Sequence, residues 1–288
     1  MITIPLLITK ALNDLFTQAA SIKAVSSSPW TCTGGSLYIV AHPDDDLLFQ
    51  SPDLPTEIGH KTCITSIYLT AGDAGAGPSS SYARDRETGN KQAYALMAGV
   101  KPDSPWKEST VKLGGQSVAL HTLTAAPHVQ HLWFRLPDGN GDGTGFSGTG
   151  GQSLKKVYTG SASSIGGWSL SDIKSALGDV IKARKPSIVR TQDWTRGWDG
   201  SYDHPDHAAT ARIVREVAGG LGVGVVGYVD YAIQDMPVNV PVGSANYTAK
   251  SNAFWAYAPF DSKECQSLGQ CVKDNFGEDD WLQRQYYV

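Results

Sequence analysis

Long apolar runs are missing from this chain. The longest near its start, residues 2–9, is far short of the roughly 18 residues a bilayer-spanning helix needs, so no transmembrane span is expected. That run also makes a poor secretory signal, because no positive cluster precedes it and Lys10 and Asp14 follow. An excess of one charge is missing too. Lys and Arg number 24 against 28 Asp and Glu, a net −4, which argues against an electrostatic grip on nucleic acid or on an anionic membrane. The 31 glycines and 15 prolines follow no three-residue period, so a collagen-like chain is excluded. Three catalytic and phosphate-binding signatures are absent as well. There is no G-x-S-x-G elbow for a serine nucleophile, no G-x-G-x-x-G after the first strand and no P-loop lysine. Cysteine is scarce, with no C-x-x-C pair among the four, so neither a zinc knuckle nor a thioredoxin-type pair is expected.

What is present describes a folded chain with many loops: 288 residues, 41% hydrophobic and only 18% charged. We read it as one domain, 1–288, with a core at about 36–232 and the terminal segments packed on it. Cys265 and Cys271 lie six apart in a polar loop, which suits a local disulfide, and Cys32 and Cys63 stand at predicted strand starts that a second bridge would join. Together with an acceptor at Asn246-Tyr247-Thr248, this favours an extracellular, secreted protein. A soluble cytoplasmic chain with four buried thiols is the alternative.

Five runs rich in β-branched and aromatic residues read as strands, at 36–40, 63–69, 131–136, 187–190 and 225–233. Helical periodicity appears at 84–98, 171–183 and 208–218. Strands alternating with helices predict an α/β, mostly parallel sheet flanked by helices, with ligands at the C-terminal edge of its strands. A turn-rich stretch at 235–249 is expected to wrap the sheet edge.

Two segments carry chemistry. The apolar strand at 36–40 runs straight into Ala41-His42-Pro43-Asp44-Asp45-Asp46. Adjacent carboxylates raise one another's pKa unless a cation or solvent takes up the charge, and imidazole with carboxylate suits Zn²⁺ or a similar divalent ion. A solvated acidic turn capping the next helix is the plainer reading. The second segment, Tyr202-Asp203-His204-Pro205-Asp206-His207, opens a predicted helix, with Pro205 suited to its first turn. His204 and His207, three apart, would face the same way there. Both segments follow predicted strands, so both should lie on one sheet edge and form a metal site.

His42-Pro43-Asp44-Asp45 after a hydrophobic strand, paired with His204-Pro205-Asp206-His207, resembles the PIG-L/LmbE-like family of zinc-dependent deacetylases. The similarity continues through Leu69-Thr-Ala-Gly-Asp73-Ala-Gly75 and Arg86-Glu87, over roughly residues 36–232. One departure is Asp46, where the family usually has Glu. The resemblance implies a Rossmann-like fold and hydrolysis of the N-acetyl group of an N-acetylglucosamine-type conjugate, releasing acetate and an amine. It implies one Zn²⁺ per chain, other divalent ions being possible, on His42, Asp45 and His207, with a position left for water. Asp44 then resembles the general base, and His204 the group that stabilises the oxyanion or protonates the departing amine. Asp206 would hold the His204 tautomer or brace a zinc ligand, and Tyr202 would bond the same oxyanion. Arg86 is the expected substrate-contacting charge, an ion pair with Asp85 or Glu87 being its plainer role. Trp194 and Trp198 would offer ring faces to a sugar, or simply fill space under a long loop. A metal-dependent phosphoester hydrolase and a non-catalytic carbohydrate-binding protein are the alternative functions. Nothing in the sequence names the aglycone or the oligomeric state.

Two weaker signals stand apart. Asp138-Gly-Asn140-Gly-Asp142-Gly143 imitates a calcium loop, but its twelfth position is Thr149 and not Glu, so 138–152 reads better as a mobile cover over the site. His60, His121, His128 and His131 have no partners at ligand spacing and are expected at the surface or in packing.

Overall fold

The computed structural model describes residues 28–198 and 203–288. The expectations for residues 2–14 and for Tyr202 fall outside the described residues. Cys32–Val288 forms a compact unit of its own, and the description below concerns it.

Its centre is a seven-stranded sheet with the order β3-β4-β5-β2-β1-β6-β7. The strands are β1 (Ser36–Val40), β2 (Ile64–Thr70), β3 (Trp106–Leu113), β4 (Gln116–Leu123), β5 (Val129–Leu136), β6 (Ile188–Thr191) and β7 (Val225–Gly227). β5, β2, β1, β6 and β7 pair in parallel, as expected for strands alternating with helices. β1 is buried at every position, which its unbroken Ser-Leu-Tyr-Ile-Val run requires of a strand covered on both faces. The sheet is not parallel throughout. β4 runs against β5, and β3 against β4, around a hairpin whose two-residue turn is Gly114-Gly115, both at positive φ. β3 escapes a search for apolar runs because this edge strand, WKESTVKL, is mostly exposed.

Four long helices flank the sheet: α1 (Ser81–Met97), α2 (Leu170–Arg184), α3 (Pro205–Gly220) and α4 (Ala245–Tyr257). The first three match the expected periodicity, each longer by a few residues because caps lie outside an apolar pattern. Ser80 caps α1, and Ser169 with Asp172 forms a capping box on α2. The last residues of the turn-rich stretch at 235–249 belong to α4. Ser244 caps this helix, and Phe254 and Tyr257 bury its far end.

The strand expected at 225–233 is also shorter, ending at Gly227. Tyr228 bridges to Tyr287 instead, and Asp230 turns inward to the sheet's C-terminal edge before a 3₁₀ turn at Tyr231–Asp235. Both expected disulfides are present, Cys32–Cys63 and Cys265–Cys271. No described helix is long and apolar enough to cross a membrane. β1 hydrogen-bonds to β2 on one side and to β6 on the other. Its C-terminal end therefore lies where the strand order reverses, the place such sheets hold ligands.

Candidate metal centre and reaction cavity

The loop leaving β1 and the first turn of α3 meet at that point. His42 Nδ1 and His207 Nε2 are 3.1 Å apart, and His207 Nε2 is 3.0 Å from Asp45 Oδ1. His42 Nδ1 is 3.4 Å from the other oxygen, Asp45 Oδ2. A tetrahedral ion with bonds of about 2.0–2.1 Å spaces its ligand atoms about 3.3 Å apart. The His42–His207 and His207–Asp45 separations lie near that spacing, and the chemistry of the three donors fits a divalent cation.

The surroundings fix the donors. His207 Nδ1 lies 2.7 Å from Asp203 Oδ1, which leaves Nε2 as the lone-pair nitrogen on the metal side. Asp230 Oδ2 is 3.7 Å from the same Nδ1 and also accepts from Asp193 N. Asp45 Oδ2 accepts from His42 N at 2.6 Å and from Gln192 Nε2 at 3.0 Å, so Oδ1 is the oxygen turned to His207. Gln192 is fixed in turn, its Oε1 accepting from Ala41 N at 2.9 Å. Burial works against a charge on either imidazole, yet Asp45 and Asp206 hold His42 at about 10, and Asp45, Asp203 and Asp230 hold His207 well above the ordinary range. The acids around these two rings call for positive charge at this spot.

Of the two roles expected of Asp206, holding the His204 tautomer or bracing a metal ligand, its side chain does not perform the first. Its Oδ2 accepts from Gly139 N at 2.7 Å and lies 4.0 Å from His204 Nδ1, too far for a hydrogen bond, and 3.7 Å from His42 Nε2. The backbone N–H of Asp206 donates to His204 Nδ1 at 3.2 Å, with His204 as N-cap and Pro205 in the first turn. The ring proton of neutral His204 therefore sits on Nε2. Burial, and then His42, push its pKa down to about 4.

Asp44 does not join the three donors. It lines a cavity of about 140 Å³ with His42, His204, Asp138, Tyr231 and Lys263 among its other walls. Burial raises its pKa, and Arg86 opposes the rise at 2.6 Å from Asp44 Oδ1. Arg86 also lines this cavity, held by several partners, and it pairs with neither Asp85 nor Glu87. Its Nη1 donates to Gly72 O, and its Nε lies 2.6 Å from Tyr257 Oη and 2.7 Å from Asp261 Oδ2. Glu87 is taken by Arg135. Asp46, the departure from the family pattern, is buried below the loop, where it accepts from Tyr68 at 2.6 Å and from Tyr94.

Trp194 and Trp198 do not line this cavity. Trp194 packs against Gly227 under the Arg215 guanidinium, and Trp198 lies between Arg212, at 4.1 Å, and Tyr158. The ring faces expected to meet a sugar are used by arginines of α3. The 138–152 run is cross-tied, with Lys155 Nζ on Asp142 O and Lys156 Nζ on Thr144 O and Gly151 O. An ammonium thus takes a carbonyl that a calcium site would want. His131 is a packing residue, buried among the rings of Tyr68, Tyr94, Trp106 and Trp133.

Five contributors went unread in the sequence. Asp203 stands inside the second motif, and its spacing of four before His207 in a helix-opening turn was a usable signal. Gln192, Asp230 and Asp261 arrive from elsewhere in the chain with no motif to mark them, and Asp138 stood in the calcium-like run without its place beside His204 being read.

No curated protein matches the chain in sequence. Solved structures do resemble it. The N,N'-diacetylchitobiose deacetylase from Pyrococcus horikoshii is 14% identical with a TM-score of 0.45, over 90% of this chain and 81% of that one. A deacetylase triple mutant of the teicoplanin biosynthetic pathway is 15% identical with a TM-score of 0.49, over 85% and 88%. A deacetylase of the antimicrobial A40926 pseudoaglycone is 16% identical with a TM-score of 0.46, over 78% and 81%. The PIG-L family model, described as GlcNAc-PI de-N-acetylase, matches residues 37–218, a span that takes in more than half of the chain and all three donor side chains, and the chain belongs to that family.

Proposed function

We propose that this chain hydrolyses the N-acetyl amide of an N-acetylglucosamine-type sugar, with one divalent ion, Zn²⁺ first among candidates, on His42, Asp45 and His207. The observation that carries the reading is the pairing of those three donors with a second acid, Asp44, which stands outside them and opens on the same cavity. A purely structural metal site needs no such acid. An ion held there supplies a Lewis acid that lowers the pKa of water and draws charge from a carbonyl oxygen.

The chain's own residues do the rest. The Asp44 carboxylate takes a proton from the water that attacks the acetamide carbon, a service worth about 10²–10⁴ in rate. As the C–N bond breaks, acetate keeps the water oxygen and the proton passes to the departing amine nitrogen. His204 donates from Nε2 towards the carbonyl oxygen as charge develops there, a contribution of about 10²–10³. Arg86 keeps Asp44 oriented and offsets the burial that favours its protonated form. Arg86 thus serves the base from a place on the cavity wall. Two formed disulfides support an oxidising, extracellular setting.

The test is acetate release from N-acetylglucosamine and small chito-oligosaccharides by chelator-stripped chain before and after zinc is added. About one zinc per chain should restore release. Stoichiometric zinc with no acetate from any acetylated sugar would overturn the reaction, and hydrolysis of a phosphoester in its place would redirect it.

A further inference from the structure

The cavity of about 140 Å³ is small, but a groove of about 660 Å³ adjoins it, sharing Tyr82 and Glu264 as common walls. Besides these two, the groove is lined by Asp85 on α1 and by Phe260, Gln270 and Phe276 from the C-terminal stretch. We infer that this groove holds the further sugar units of an oligosaccharide whose N-acetylated unit enters the cavity. The substrate class is then a chain of amino sugars and not a monosaccharide. The inference takes its direction from the proposed reaction, but the groove's own binding is separable from it.

Three observations support this occupant. The groove shares the Tyr82 and Glu264 walls with the reaction cavity, so a chain extending from a reacting unit past those residues would meet it. Its lining combines aromatic rings with amide and carboxylate groups. Apolar ring faces meet the C–H faces of pyranose rings, and amides and carboxylates meet their hydroxyls, while lysine and arginine, which an anionic ligand would require, are absent from its walls. Its volume lies within the range of about 300–1,000 Å³ typical of ligand pockets.

The walls are also held in advance. Cys265–Cys271 closes the loop bearing Gln266 and Gln270, and Gln266 Nε2 donates to the carbonyls of Ala258, Asp261 and Glu264. Binding to a pre-formed groove avoids the ordering cost that a mobile loop would impose. Phe276 is 39% exposed, presenting ring surface to whatever enters.

Calorimetry on full-length, zinc-loaded Asp44→Asn, which prevents turnover, measures affinity for N-acetylglucosamine and for its β-1,4-linked trimer. The trimer is expected to bind at least tenfold more tightly, and adding Phe276→Ala or Gln270→Ala should bring that ratio towards one. A ratio of one in the parent, no binding of either sugar, or a ratio untouched by both substitutions overturns the groove. Acetate release by the wild type, measured in parallel, separates the two readings. Groove-dependent trimer binding without acetate leaves the subsite standing and removes the reaction. Acetate release with a ratio of one does the reverse.

Discussion

The reaction cavity has two walls of different origin. One is made by the β1 loop and the start of α3, at the reversal point of the parallel sheet, and it sets His207 Nε2 3.1 Å from His42 Nδ1 and 3.0 Å from Asp45 Oδ1. The other is made by α1 and the C-terminal stretch, which lies beyond the family match at 37–218 and contributes Asp261, Lys263 and Glu264. Asp44 touches both. Its neighbour Asp45 is one of the three donors, while its own carboxylate is held by Arg86, which is shared with Asp261. The first wall thus gathers the metal-type donors, and the second sets how Asp44, the proposed base, is held and what lies beside it. Substitutions on the two walls should separate metal affinity from turnover.

The largest expected effect falls at the junction. Asp44→Asn should lower kcat by about 10²–10⁴ while zinc content by elemental analysis stays near one per chain. Loss of the metal along with activity would place Asp44 among the ligands and dissolve the distinction between the walls. Asp203→Asn, on the first wall, removes the carboxylate that orients His207 and should weaken metal affinity by about 10–100-fold in a chelator competition, with kcat at saturating metal changed much less. Asp261→Asn, on the second wall, should do the opposite. Freed from Asp261 and still bound to Gly72 O, Arg86 loses one of the contacts that aim it at Asp44. We expect kcat to fall about tenfold, equivalent to about 1.4 kcal/mol of transition-state stabilisation, with metal affinity unchanged. An effect on metal affinity equal to that of Asp203→Asn would break the comparison.

The first wall was legible in the sequence and the second was not, for physical reasons. A strand buried on both faces must be an unbroken apolar run, so Ser36 to Val40 announces β1, and acids placed directly after it have only the sheet edge to occupy. Likewise His204-Pro205-Asp206-His207 is a helix start by its own composition. Asp261 has no such local marker. Its role exists only because α4 lies against α1 and carries Tyr257 and the following turn to Arg86, a contact between residues 171 or more apart in the chain. The partners of Arg86 were hidden for the same reason: its sequence neighbours Asp85 and Glu87 offered an ion pair, while Asp261, which holds it, is far away in sequence. The β3–β4 hairpin went unread because exposed, polar β3 offers no apolar run beside the Gly114-Gly115 turn. Trp194 and Trp198 misled because a tryptophan in a loop offers the same face to a sugar or to a guanidinium, and Arg212 and Arg215 sit on the adjacent helix.

The disulfides give the smallest predicted change in activity and the sharpest contrast between the walls. Cys32–Cys63 spans 31 residues at the starts of β1 and β2, whereas Cys265–Cys271 spans six within the second wall. Loop-closure entropy alone makes the first worth about 4 kcal/mol and the second about 2 kcal/mol. Paired Cys→Ser substitutions should therefore lower the denaturant midpoint more for the first than for the second. Activity should follow the reverse order. The long bridge lies at the N-terminal ends of the strands, away from the donors, so chain that remains folded without it should retain its kcat. The short bridge secures the loop that follows Asp261, so its loss should loosen the hold on Arg86 and cost a few-fold in kcat at unchanged zinc content. If both variants lost stability and activity in the same order, the second wall would be no more than a covering, and the tuning assigned to it would belong to the sheet.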